Sequence, residues 1–118
     1  MDLSRLIVDH LNASGIGATV YHDVPRDRPA SFAVVTQTGG STEERCGWTA
    51  YADIDLWART RRDAAALAER AASALLAMPD GVGNVFDVSI TSFYDNPDLE
   101  SRPPAPRYTV GVEVTAIA

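Results

Sequence analysis

Two aspartates near the middle of the chain have a spacing that suits acid and base chemistry. Asp53 and Asp55 are separated by one residue in a segment of alternating side chains, which puts both on one face of a predicted strand, about 7 Å apart. Carboxylates at that separation are able to share general acid and base work. Paired acids on a solvated or subunit-contacting strand face are much more common, and no cleft signal accompanies these two. The pair alone does not predict an enzyme.

The other reactive side chains give weaker signals. His10 and His22 have no cysteine or paired carboxylate at ligand spacing, so neither predicts a metal site. Cys46 is the only cysteine, which excludes an intrachain disulfide and a thiolate metal cluster. The serines show no nucleophile elbow, and the glycine-rich residues 39–48 lack phosphate-binding spacing and a lysine. The sequence therefore predicts no enzyme, no cofactor and no metal.

Composition limits the classes of protein. A chain of 118 residues, 46% of them hydrophobic, predicts one compact domain over residues 1–118. The net charge of −6, from 16 acids against 10 arginines and no lysine, disfavours binding to a nucleic-acid backbone. No stretch reaches the roughly 20 apolar residues that span a bilayer, and the N-terminus has an amphipathic pattern instead of a signal sequence. We expect a soluble protein with neither a membrane partner nor nucleic-acid sequence recognition.

The two aspartates belong to a predicted strand that leads into a helix. Alternation over residues 49–59 predicts the strand, with small and aliphatic side chains on one face and both aspartates on the other. Thr60 has Asp63 three residues later, a pairing typical of a helix N-terminus. An apolar stripe then predicts a helix that lies on a sheet and stops at residues 79–81. The stripe consists of Leu67, Ala71, Ala74, Leu75 and Met78.

The rest of the chain supplies another helix and four more strands. An amphipathic pattern at the N-terminus predicts a short helix, capped by Asp2 or Ser4 and ended by Gly15. Alternation and β-branched residues predict the strands, at residues 18–24, 31–38, 85–93 and from 107 to the end. The order α-β-β-β-α-β-β predicts an α+β fold with a single, mostly antiparallel sheet of about five strands and two helices on one face.

The uncovered sheet face and the loops are the candidate binding surfaces. The face opposite the helices is expected to present both aspartates with Tyr51 and Trp57, and a tryptophan on a polar face calls for a partner. The predicted loop at residues 39–48 is longer than a hairpin needs, and residues 94–106 are expected to form an exposed crossing loop. The candidate residues for an interface with another subunit or a partner protein are Arg26, Asp27, Arg28, Glu43, Glu44, Arg45, Trp48, Tyr51, Asp53, Asp55, Trp57, Asp98, Glu100 and Arg102.

Four short motifs, each present once, follow one another over nearly the whole chain. They are Arg28-Pro29-Ala30-Ser31-Phe32 entering a strand, Gly39-Gly40 leaving it, Trp57-Ala58 before an alanine-rich helix, and Pro106-Arg107-Tyr108 opening the last strand. In this order and spacing the chain resembles the tail terminator family of tailed bacteriophages, also called tail completion or head-tail joining proteins.

The resemblance implies a structural role in the virion. Such proteins form a ring, commonly of six copies, on the head-proximal end of the tail tube, where they stop tube polymerisation and offer a surface to the head connector. The implied partners are other copies of this chain, the tail tube protein and the head-tail connector protein. The implied location is the head-proximal end of the tail, after assembly in the host cytoplasm.

Three alternatives stay open. A small-molecule-binding regulatory module that dimerises through its sheet predicts a defined apolar pocket. A hydrolase that uses Asp53 and Asp55 predicts raised carboxylate pKa values in a cleft. Another small phage protein of the head-tail junction or the tube shares the same predicted fold.

Overall fold

A computed structural model describes residues 2–43 and 47–117. Its helices and strands in chain order are α1 (Leu3–Ser14), β1 (Thr19–Tyr21), β2 (Phe32–Glu43), β3 (Gly47–Trp57), α2 (Arg61–Leu76), α3 (Met78–Gly81), β4 (Val85–Asp95) and β5 (Arg107–Ala116). The predictions made for Glu44, Arg45 and Cys46 lie outside the described residues.

All five strands form one sheet in the order β1-β2-β3-β5-β4. The predicted α+β class and the single five-stranded sheet are confirmed, and the element order agrees broadly, with the short helix α3 as an addition that was not predicted. The sheet is mixed, because β1 runs parallel to β2 while every other neighbouring pair is antiparallel. A parallel pair needs a crossover connection, and residues 22–31 provide it between the three-residue β1 and β2.

The helices cover one face of the sheet, as predicted. Thr60 caps α2, since its hydroxyl accepts a hydrogen bond from the Asp63 amide at 3.0 Å. Gly15 ends α1 in the left-handed conformation, with φ of 66°. Within the predicted stripe of α2, Ala74 is only half-buried. The main core lies between helices and sheet and includes Ile7, Leu11, Ile54, Leu56, Leu67, Leu75, Val110 and Val112.

The second strand is longer than predicted. Gly39 and Gly40 were expected to end it, but β2 continues to Glu43 and pairs with β3 along that whole stretch. A β-bulge between Gln37 and Gly39 absorbs the irregularity, so the glycines bend the strand without stopping it. The prediction of a long loop over residues 39–48 is therefore wrong.

The third strand begins earlier than predicted, at a glycine that the packing requires. Gly47 has φ of +103°, and a Cβ there would collide with the backbone carbonyl of Ala116. The backbone of β3 therefore approaches the end of β5 in a way that other residues do not allow. Only residues 44–46 separate β2 from β3.

None of the helices in the described residues combines the length and the apolar character that crossing a membrane requires.

Candidate functional site

The face of the sheet opposite the helices, which we call the open face, has two parts. Near the end of β3, residues 96–106 fold back over the sheet and enclose a small second core. Near the start of β3, side chains such as Tyr51 keep substantial exposure, 42% in its case. We call these the closed part and the uncovered part.

Two stacked aromatic rings form the centre of the closed part. The rings of Phe32 and Trp57 lie 4.5 Å apart between centroids and 9° from parallel. Tyr21 packs edge-on against Phe32, and Ala105 from the covering segment packs against the same cluster. Trp57 is consequently only 4% exposed. The tryptophan expected to need a partner on this face finds it within its own chain.

The carboxylate of Asp98 fastens the covering segment onto Trp57. Its Oδ2 accepts hydrogen bonds from the Trp57 indole Nε1 at 3.0 Å and from Arg28 Nη1 at 3.2 Å. Its Oδ1 accepts from the backbone amides of Glu100 and Ser101. Burial by itself would raise the pKa of Asp98, but the hydrogen bonds from Trp57 and Arg28 outweigh it and hold the pKa below its usual range. The charged form is the one that this site stabilises.

A chain of hydrogen bonds links the covering segment to the middle of the open face. The Arg107 guanidinium lies 5.3 Å from the Trp57 ring centre and donates through Nε to the Asn96 carbonyl. The Asn96 side chain donates to the Thr109 hydroxyl at 3.1 Å, and that hydroxyl donates to Asp55 Oδ1 at 2.6 Å. These hydrogen bonds therefore connect the Asp55 carboxylate to the closed part.

The uncovered part is acidic. Asp53 follows Tyr51 along β3, and Glu113 of β5 pairs opposite Tyr51. Asp87 of β4 adds a further acid on the same face. Burial, followed by the charge of Asp55, raises the pKa of Asp53. The ionised form of Asp53 is therefore disfavoured at this position, and a positively charged neighbour would offset that cost.

A cleft of about 510 Å³ opens between residues 22–28 and the covering segment. Asp55 and Trp57 lie on its floor, and Asp98 is in its wall, but Asp53 is not among its lining residues. The aspartate with the raised pKa, Asp53, is thus not the aspartate in the cleft, Asp55. A hydrolase that uses the two residues needs both side chains, and the raised pKa, inside one cleft. The cleft is lined mostly by charged and polar side chains, unlike the apolar pocket typical of a small-molecule site.

Both outer edges of the sheet carry unpaired strand. β1 pairs with Phe32–Val34, and among residues 2–43 and 47–117 no strand pairs with residues 36–43 of β2 on that side. β4 is the opposite edge and is 11 residues long. It exposes three aromatic side chains, Phe86, Phe93 and Tyr94, by 51%, 41% and 47%.

The structure spreads the predicted interface residues over several environments. Arg26, Asp27, Glu100 and Arg102 are exposed in the loops beside the closed part, where Arg28 pairs with Asp98. Tyr51, Asp53 and Asp55 lie on the open face as predicted. Glu43 ends β2 at the hairpin tip.

Three of the predicted interface residues are buried within the chain. Trp48 lies in the main core at 8% exposure, because its position in β3 alternates onto the helix-covered face. Trp57 and Asp98 are buried because residues 96–106, part of the predicted crossing loop at residues 94–106, return across the sheet. Placing these side chains on a free surface was a wrong expectation.

Sequence reasoning missed the aromatic side chains of β4. Strict alternation over the predicted strand at residues 85–93 places Phe86 on the same face as Val88, but a bulge between Val85 and Asp87 interrupts the alternation and Phe86 is exposed. Three aromatic residues in one strand were visible in the sequence, but the position of that strand at the sheet edge was not. Within residues 2–43 and 47–117, no three His, Cys, Asp or Glu side chains are placed to hold a metal ion.

These features define a small α+β domain with one helix-covered sheet face, a partly uncovered opposite face and two free edges. Over residues 4–103 the chain matches the family described as tail completion protein gp17, and it belongs to that family. The match ends before β5, the strand that joins β3 to β4. No curated protein matches the sequence. The predicted family is confirmed, and the role of the chain is in bacteriophage tail completion, as a component of the virion tail.

Proposed function

We propose that the chain forms a ring, of six copies, that caps the head-proximal end of the tail tube. The ring stops tube polymerisation and joins the tail to the head connector. Membership of the tail completion family over residues 4–103 is the observation that carries this proposal. The siting at the tube end follows from the resemblance described above.

The geometry of the sheet supports a ring. A closed ring of identical copies needs two different contact surfaces on each copy, one for each neighbour. The free edge of β2 and the free edge of β4 lie on opposite sides of the sheet and differ in sequence. Each copy thus has two separate surfaces for its two neighbours.

The two ends of the strands give the ring its two axial surfaces. The tip of the β2–β3 hairpin lies at one end, and residues 25–31 and 96–106 lie at the other. The molecule measures 48 Å along its longest axis and 24 Å across, so these ends are well separated. In this proposal one end meets the tube and the other meets the connector.

We also propose that the role is binding, without catalysis. The strongest catalytic candidates, Asp53 and Asp55, do not share one enclosed site, and Asp55, on the floor of the cleft, is already engaged by Thr109. Asp53 lies outside the cleft. A charged sheet face of this kind suits protein contact better than a reaction that needs an enclosed site.

Tail length tests the proposal. Tails assembled without the chain are expected to show irregular and excessive lengths and to lack heads in negative-stain images, since nothing stops the tube. Adding purified chain back should restore a narrow length distribution and head attachment. Adding a Leu75→Asp variant, which places a charge in the main core, serves as the unfolded control. Normal, head-bearing tails in the absence of the chain would contradict the proposal.

Charge reversal at the hairpin tip gives a finer test of the axial surface. A variant carrying Glu43→Lys and Glu44→Lys should keep its melting temperature within about 2 °C, as surface changes usually do, yet weaken tube capping. Glu69→Lys on the exposed side of α2 is the matched control and should cap normally. Normal capping by the tip variant would show that the hairpin tip does not make the axial contact.

A further inference from the structure

We propose that β4 of one copy pairs antiparallel with residues 36–43 of β2 in the next copy, so that neighbouring sheets join edge to edge. This inference rests on the proposed ring and names the two surfaces that build it.

The β4 edge lacks most of the features that protect an exposed strand from pairing. Proteins usually guard such edges with proline, lysine, very short strands or bulges. Over its 11 residues β4 has no proline and no lysine, and bulges interrupt it only between Val85 and Asp87 and between Ile90 and Ser92. Its charged residues, Asp87 and Asp95, lie toward the two ends. The exposed Phe86 and Phe93 add apolar area beside the unpaired backbone. Such a strand is a template for another strand.

The β2 edge is complementary in size and character. Residues 36–43 include two glycines and no aliphatic or aromatic residue. Gly39 leaves room on the open face, where a Cβ would meet only the Tyr51 ring at 3.8 Å, and an aromatic side chain from a paired strand fills such a position favourably. Phe86, an exposed aromatic residue three positions from Ser89 in β4, supplies such a side chain. The occupant of each edge is therefore a second copy of this chain.

Strand direction favours this pairing over a symmetric one. β2 is antiparallel to β3, β3 to β5, and β5 to β4, so β2 and β4 run in opposite directions within one copy. Copies that share one orientation around a ring axis then present β4 antiparallel to the neighbouring β2, as a regular ladder requires. Pairing β4 with a second β4 would close a two-copy assembly and leave both β2 edges unpaired.

Engineered disulfides test the pairing in the full chain. In a Cys46→Ser background, Ser89→Cys on β4 is combined with either Thr36→Cys or Gly39→Cys on β2, which samples two registers on the open face. Cβ atoms of directly opposed residues lie within disulfide reach. Mild oxidation should produce a ladder of cross-linked species up to the ring in one register, and each single-cysteine chain should stay uncross-linked.

A surface variant supplies a second readout that is independent of register. Phe86→Lys places a charge at the β4 edge, and Leu99→Lys makes the same type of change at an exposed apolar residue of the covering segment. We expect Phe86→Lys to weaken self-association by about tenfold or more and Leu99→Lys to leave it unchanged, with both variants folded by circular dichroism.

The outcomes separate this inference from the proposed ring. If Ser89→Cys alone gives a cross-linked pair, β4 pairs with itself and the inference is overturned. If the wild-type chain forms rings, while both double-cysteine chains and Phe86→Lys behave as controls, the edge pairing is overturned and the ring stands. If the wild-type chain forms no ring in solution or on tube ends, the proposed ring and the edge pairing are both contradicted.

Discussion

The two parts of the open face contain similar aromatic residues but bury them to different extents. Tyr51 and Trp57 are aromatic residues on the same face of β3. The chain covers Trp57 with its own residues 96–106 and leaves Tyr51 42% exposed. The closed part has aromatic stacking and a fully hydrogen-bonded Asp98, whereas the uncovered part has acids at close spacing. One part stabilises the monomer, and the other is available to a neighbour.

The largest expected effect compares the two aromatic residues directly. Trp57→Ala should lower the free energy of unfolding by about 3–5 kcal/mol, because it removes the ring stacked on Phe32 and leaves a cavity under the covering segment. Tyr51→Ala should cost about 1 kcal/mol or less, since much of its side chain already contacts water. Urea unfolding of both variants measures the difference. Equal losses would show that the uncovered part is as structural as the closed part.

A smaller loss of stability is expected on changing Asp98, the buried carboxylate of the closed part. Asp98→Asn should destabilise the chain by about 1–3 kcal/mol, because the amide cannot accept all four hydrogen bonds and no longer pairs with the Arg28 charge. Faster proteolysis within residues 96–106 should accompany the loss, as the covering segment opens more often. A variant with wild-type stability and proteolysis would mean that Asp98 does not fasten the segment.

The pH dependence should follow from the lowered pKa of Asp98. In the unfolded chain an aspartate titrates near about 3.9, so the unfolded state takes up the proton first as the pH falls. The stabilisation is therefore complete above about pH 4 and is lost below it, as the pH falls through the folded pKa. The stability gap between wild type and Asp98→Asn should narrow from pH 7 to pH 3. A constant gap would contradict this assignment.

The smallest expected change in stability is at Asp53 in the uncovered part, where substitution should stabilise the chain instead of destabilising it. The raised pKa of Asp53 means that its ionised form costs stability above that pKa, and the cost disappears as the pH falls. Asp53→Asn should therefore raise the melting temperature slightly at pH 7, with a change in stability within about 0.5 kcal/mol. A clear loss of stability would show that the Asp53 charge has a structural role within the monomer.

Local patterns in the sequence predicted the elements well, because their causes are local. The Thr60 cap and the Gly15 terminus each depend on neighbouring backbone groups, and both are confirmed. Gly39-Gly40 misled the prediction of β2, since glycines in a strand either stop it or are absorbed by a bulge, and the partner strand decides which.

The site depended on contacts that sequence spacing does not reveal. Asp98 and Trp57 are far apart in the chain, and their hydrogen bond forms only because residues 96–106 return across the sheet. Likewise, the aromatic residues of β4 become a free edge only through the strand order, with β5 inserted between β3 and β4. The family resemblance identified the role, but it did not indicate which surfaces were uncovered.

Hydrogen–deuterium exchange of the free chain and of the ring tests most directly the claim that assembly uses the two free edges. In the ring, amides of β4 and of residues 36–43 should exchange at least about tenfold more slowly than in the free chain, because their outward-facing backbone groups become hydrogen-bonded. Amides of α2, already paired within the helix, should change little. New protection in the ring that leaves both β4 and residues 36–43 unchanged would contradict the account.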